Sequence, residues 1–93
     1  MRRDLIRSSA FVRAAKRLGK KDPEALQAIR QALTDLEDEA FAPHLRTHKL
    51  RGNLAGLWAC SAGYDLRIVF EIATVDDAEA ILLVSVGGVA LVY

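Results

Sequence analysis

From Leu45 to Ile72 the chain changes its hydrophobic period. Leu66, Ile68, Phe70 and Ile72 alternate with Asp65, Arg67, Val69 and Glu71. A period of two predicts a strand with four apolar side chains on a core and Asp65 and Arg67 together on the wet face. Gly52-Asn53 reads as one hairpin turn, because glycine and then asparagine best tolerate φ > 0, and Ser61-Ala62-Gly63 reads as a second. Between the two, Leu54, Leu57, Trp58 and Cys60 make a mostly apolar strand, and Tyr64 to Ile72 makes the next.

Upstream the period is helical. Ser8 or Ser9 supplies an N-cap oxygen, Phe11, Ala14, Ala15 and Leu18 recur at helical spacing, and Gly19 is the expected C-terminal signal. Asp22-Pro23-Glu24 opens a second helix with a capping carboxylate, a proline in the first helical position and an acid in the first turn. Its apolar stripe, Leu26, Ile29, Leu33 and Leu36, runs to about Glu39, and its acidic end is expected in solvent. Asp4 to Arg7 is a short strand ahead of the helices. Thr74 to Glu79 is a polar hairpin loop, and Ala80 to Val86 is apolar on both parities apart from Ser85, as in a strand covered on both sides. Gly87-Gly88 interrupts it, and Val89 to Tyr93 forms a short apolar tail. The order β-α-α-β-β-β, with a further terminal strand, predicts one α+β domain over residues 1–93. In it a helical hairpin packs on a small, mainly antiparallel twisted sheet.

Composition narrows the class. With 93 residues, 52% hydrophobic and 27% charged, the chain can bury one core and is not of disordered type. No run approaches the roughly 18 apolar residues of a membrane span, and MRRDLIRSS carries no apolar signal region. One cysteine leaves no internal disulfide or CxxC metal site. The expectation is a cytoplasmic protein with no membrane partner, no metal and no cofactor. The net charge of +1 conceals an asymmetry. Residues 1–51 hold 12 of the 13 Lys and Arg and 7 of the 12 acids, whereas 52–93 hold Arg67 against the other five. Cations gathered in this way predict a local anionic partner.

The runs His48-Lys49-Leu50-Arg51-Gly52, Gly56-Leu57-Trp58 and Gly63-Tyr64-Asp65-Leu66-Arg67-Ile68-Val69-Phe70 resemble the RelE/YafQ/ParE superfamily of toxin–antitoxin toxins, and the YafQ-type mRNA interferases most. The resemblance spans nearly the whole chain. It implies a RelE-like fold, a toxin that cleaves mRNA on the ribosome, and a cognate antitoxin. It also implies roles for catalytic residues. His48 falls on the family's functional histidine, Arg67 on the strand arginine that clamps the scissile phosphate, Asp65 on its aspartate and Tyr93 on its terminal aromatic.

Cleavage of this kind needs a base for the 2′-hydroxyl, stabilised phosphate charge and a proton for the leaving 5′-oxygen. His48 with Asp65 answers the first need, and Arg67 with Lys49 and Arg51 the second. The third has no candidate. Where YafQ-like chains commonly end Gly-Thr-His-Asp-Glu-Val-Tyr, this one reads Gly87-Gly88-Val89-Ala90-Leu91-Val92-Tyr93, with Val89 in place of the histidine. A poor or inactive ribonuclease is therefore expected, and a non-catalytic binding module or a ParE-like gyrase inhibitor stand as alternatives. Arg13, Lys16, Arg17 and Lys20 are either an RNA-contacting face of the first helix or a solvated one. Arg67 equally suits an ion pair with Asp65 or Glu71, and His48 a plain place at a strand edge. His44, four residues from His48, has no helix to make the pair a metal site and no third ligand nearby in sequence. Trp58 and Cys60 read as packing residues.

Overall fold

The computed structural model describes residues 1–88 of the chain. In order it contains β1 (Asp4–Arg7), α1 (Ser9–Lys21), α2 (Pro23–Asp38), β2 (His48–Lys49), β3 (Trp58–Ala62), β4 (Leu66–Val75) and β5 (Ala78–Gly88). One sheet holds all five strands in the order β1-β5-β4-β3-β2. β1 runs parallel to β5, and the remaining neighbours are antiparallel. The α+β architecture, with a helical hairpin on one sheet face, is the one expected.

Both helices start where their caps dictate. The Ser8 hydroxyl accepts from the Phe11 N–H at 3.1 Å, and the Asp22 carboxylate from the Glu24 N–H at 3.0 Å. A cap of this kind is worth about 1 kcal/mol. Gly19, in contrast, does not end α1, which runs on to Lys21. A Cβ there would lie 3.3 Å from that of Leu26, so the glycine serves the close crossing of the two helices. The acidic end of α2 is not left to solvent either. Arg2 reaches Glu37 at 3.3 Å, and the Arg3 backbone N–H donates to the Glu37 carbonyl. Arg3 itself is buried, ion-paired to Glu79 at 2.9 Å and 5.4 Å from the Phe41 ring centroid.

Phe11, Ile29, Leu33 and Leu36 from the helices meet Cys60, Ile68, Phe70, Ile81 and Leu83 from the sheet in one core. The inward alternation of β4 holds for Leu66, Ile68 and Phe70. The outward set is less wet than its pattern, because Val69 is buried with Leu50 and Ala59 beneath Leu54, Leu57 and Val84. Leu54 and Leu57 are accordingly not strand residues. Residues 50–57 fold over this second face as an irregular loop closed by the Leu50 N–H to the Leu57 carbonyl at 3.0 Å. β5 is covered fully on its helix face only, with Leu82 and Val84 half-buried on the other.

Turn positions also move. Ser61 and Ala62 pair with Arg67 and Leu66, so the hairpin tip is Gly63-Tyr64-Asp65 and β4 starts at Leu66. Gly63 takes φ +65, and a Cβ on it would meet that of Ala28 at 3.1 Å. The expected loop from Thr74 to Glu79 shrinks to Asp76-Asp77, with φ of 51 and 67. Two successive left-handed residues are what a two-residue type I′ turn requires, and aspartate is among the residues that tolerate it. β5 continues through Gly87 and Gly88 rather than breaking there. No helix among the described residues is long and apolar enough to cross a membrane.

Phe70→Ala should cost about 3–5 kcal/mol by cavity formation. Gly63→Ala should cost about 1–3 kcal/mol by crowding Ala28 in a left-handed backbone. Urea unfolding of both variants measures these losses, and an unchanged Gly63→Ala midpoint would mean the hairpin tip yields without strain.

Candidate functional site

Arg67 stands one residue into β4. Its cross-strand neighbours are Ser61 on β3 and Gly87 on β5. Both are small, so neither of these neighbours crowds the half-buried arginine side chain. One Nη donates to the Leu66 carbonyl at 2.8 Å. Among the described residues no carboxylate comes within ion-pair distance, so the pairing with Asp65 or Glu71 that the spacing allowed is not made. The guanidinium lines an open cleft of about 430 Å³ shared with His44, Arg46, Ser61, Tyr64 and Asp65. Asp65 reaches the cleft from the turn, not from the face of a strand.

His48 lies on the same sheet face. It is opposite Ala59, which is two residues before Ser61, and Ser61 is opposite Arg67. Two strand spacings and two residues put the Cα atoms of His48 and Arg67 about 12 Å apart, and His48 does not line the cleft that holds Arg67. The His48 Nδ1 is 2.9 Å from the Arg46 carbonyl. A carbonyl only accepts, so Nδ1 carries the hydrogen and the neutral ring keeps its lone pair on Nε2. That tautomer suits a general base.

The other expected cations diverge. Lys49 is on the opposite face from His48, its ammonium 5.4 Å from the Trp58 ring centroid. Trp58 packs edge-on against Phe41 at 5.2 Å, in keeping with a packing role. Arg51 is exposed ahead of the loop turn at Gly52–Leu54. Arg13, Lys16, Arg17 and Lys20 are exposed along α1, and none lines the cleft that holds Arg67. Tyr93 and the tail from Val89 lie outside the described residues. His44 bonds through Nε2 to the Asp35 carboxylate at 3.0 Å. Among the described residues, no three His, Cys, Asp or Glu side chains gather as a metal site.

Sequence reasoning missed Arg46 and Tyr64. Arg46 holds φ +53, a left-handed conformation that a non-glycine residue adopts only when its surroundings impose it. Nothing in the local pattern announces that. Tyr64 is 98% exposed, and a turn placed one residue later would have revealed it.

The strand order, the helical hairpin and the cleft at the end of β3 and β4 define a RelE-like architecture. Among solved structures the chain is similar to YafQ from E. coli strain BL21(DE3), with a TM-score of 0.75, 17% identity and 99% of each chain covered. It is similar to the toxin–antitoxin complex RelBE2 from Mycobacterium tuberculosis, with a TM-score of 0.74, 20% identity and 95% of this chain and 99% of that one covered. It is also similar to the YoeB/ParE toxin from Agrobacterium tumefaciens, with a TM-score of 0.74, 14% identity and coverage of 91% and 97%. The three scores are nearly equal, so the likeness establishes the shared toxin fold without setting YafQ apart. No protein-family model matches the chain, and no curated protein does.

Cys60, fully buried one residue before Ser61, has its thiol pushed up to about 12 by burial, with the Arg67 charge pulling slightly the other way. The unfolded chain therefore loses this proton first. The stability it contributes is full below the ordinary value of 9.0 and falls as pH rises from there towards about 12. A thiol reagent at pH 8 should leave the native chain unmodified and react at once in urea, and rapid native labelling would show that the strand opens.

Proposed function

We propose that this chain is the toxin of a type II toxin–antitoxin pair, acting on ribosome-bound mRNA and cutting it weakly. The observation that carries the reading is Arg67, half-buried and without a carboxylate partner among the described residues, in a cleft with Arg46 and His44. A guanidinium in that setting is poised for a phosphate, which it can grip through two hydrogen bonds at once. His48, with Nε2 free to accept, is suited to take the 2′-hydroxyl proton, and Asp65 to orient the ribose. The attacking 2′-oxygen would close on the phosphate as the bond to the 5′-oxygen breaks. No donor for that leaving oxygen is identified, since Val89 replaces the family's histidine. Loss of such a donor lowers a rate roughly 10²–10⁴-fold.

An antitoxin is the proposed partner of the helical hairpin. A groove of about 230 Å³ between α1 and α2 has an apolar floor that includes Phe11, Ala15, Leu26 and Ile29, and a rim of Arg7, Lys16 and Arg30. An apolar segment flanked by acids fits both features, and exposed charge pairs of that kind weaken with salt.

Induction without antitoxin should slow growth weakly and give faint cleavage of a translated message by primer extension. Arg67→Ala should reduce ribosome association while leaving the fold intact. Gly88→Thr, Val89→His, Ala90→Asp and Leu91→Glu together should raise cleavage at least 10²-fold. Strong cleavage by the unaltered chain would mean another group supplies the proton, and His44→Ala would test the first choice.

A further inference from the structure

The β3–β4 hairpin ends in the most exposed large apolar side chain of the described residues. Tyr64 is 98% exposed, against 71% for Met1, 45% for Val75, 44% for Phe41 and 41% for Ile6. Phe41 is partly covered by Trp58 and by the Arg3 guanidinium, whereas the Tyr64 ring stands clear. Its backbone is pinned all the same. The Ala62–Leu66 pair closes the hairpin behind it, and Gly63 takes φ +65 where a Cβ would crowd that of Ala28 at 3.1 Å. Tyr64 lines two open clefts. One holds Arg46, Arg67 and His44, and the other, of about 400 Å³, runs to the helix corner at Lys21, Asp22 and Glu24.

We propose that Tyr64 is a nucleobase-stacking residue, its ring taking one base of a single-stranded RNA while Arg46 and Arg67 hold the adjoining phosphate. The inference rests on the RNA reading above and adds a contact to the base. An aromatic face beside paired cations is the combination that single-stranded nucleic acid requires. Bases stack on the ring whatever their identity, and the backbone follows the charge. On one side of the ring lie Arg46, Arg67, His44 and Asp65, and on the other the cleft is lined by Leu18, Ala25 and Leu66 with Lys21, Asp22 and Glu24. The cationic side is the one that suits a phosphate backbone. Because every base has a π face, this contact supplies affinity and register but little sequence choice.

The test is anisotropy of a labelled hexaribonucleotide titrated with the purified chain over a series of salt concentrations. Tyr64→Ala should weaken binding about five- to hundredfold, the loss expected for one stacked base, at every salt and with the salt slope unchanged. Tyr64→Phe should bind as the unaltered chain does. Arg67→Ala should flatten the plot of log affinity against log salt by about 0.7 for one lost phosphate contact. Normal binding by Tyr64→Ala with a flattened slope for Arg67→Ala would overturn the stack and leave the RNA reading standing. A loss in Tyr64→Phe equal to that in Tyr64→Ala would overturn it too, since the hydroxyl would then be the contact. No binding of the hexaribonucleotide by the unaltered chain would overturn the stack, whereas the action on ribosome-bound mRNA stands or falls by the primer extension above. Loss of co-purification with a co-expressed antitoxin, at unchanged RNA affinity, would make Tyr64 a protein contact instead. Circular dichroism confirms that each exposed-site variant is folded.

Discussion

At Gly63 the backbone runs with φ +65 close to α2, where a Cβ would lie only 3.1 Å from the Ala28 methyl. The close approach brings the tip of the β3–β4 hairpin, which carries Tyr64 and Asp65, up to α2, and Arg67 follows at the second rung of β4. The sheet adds the second half of the arrangement. Ser61 and Gly87 on either side of Arg67 contribute little bulk, and neither offers a carboxylate. An arginine whose neighbours cannot neutralise it keeps its charge available to a ligand.

Much of the fold was legible because the helix caps and the β4 alternation are local signals. Ser8, Asp22 and Pro23 act within one turn of themselves, and Leu66, Ile68 and Phe70 obey the period of a strand. What was misread depended on distant partners. Gly19 looks like a helix terminator until Leu26 is seen against it. Val69 looks solvent-facing until the loop carrying Leu54 and Leu57 folds over the second face. The hairpin tip was misplaced by two residues, which hid Tyr64 in a strand. At the site, the period of two marked Arg67 and Asp65, and the family resemblance added His48. The sheet puts Arg67 and His48 on one face, while Asp65 falls in the turn. Arg46 was out of reach of such reasoning, because only its backbone geometry brings it to the cleft.

The same fold carries YafQ, RelBE2 and YoeB/ParE toxins, so shape alone does not select a target. The charge distribution is more discriminating. Cations cluster in the first half of the chain, yet the structure divides their work. Arg2 and Arg3 hold down the acidic end of α2 and the turn side of β5. Lys49 stacks on Trp58, Lys16 and Arg30 edge the helical groove, and Arg46 faces the cleft with Arg67. A net charge near zero therefore coexists with separate basic surfaces, each with its own neighbours.

β1 pairs with β5, Leu5 beside Ile81 and Arg7 beside Leu83. The first strand thus waits for residues some 75 positions later in the chain, a separation that places loop closure late in folding. During synthesis at about 5–20 residues per second the helical segments are made several seconds before their final sheet partner. Over that interval the apolar faces of α1 and α2 have no complete sheet to cover them. A chain built in this order buries its helices only when its last strand arrives.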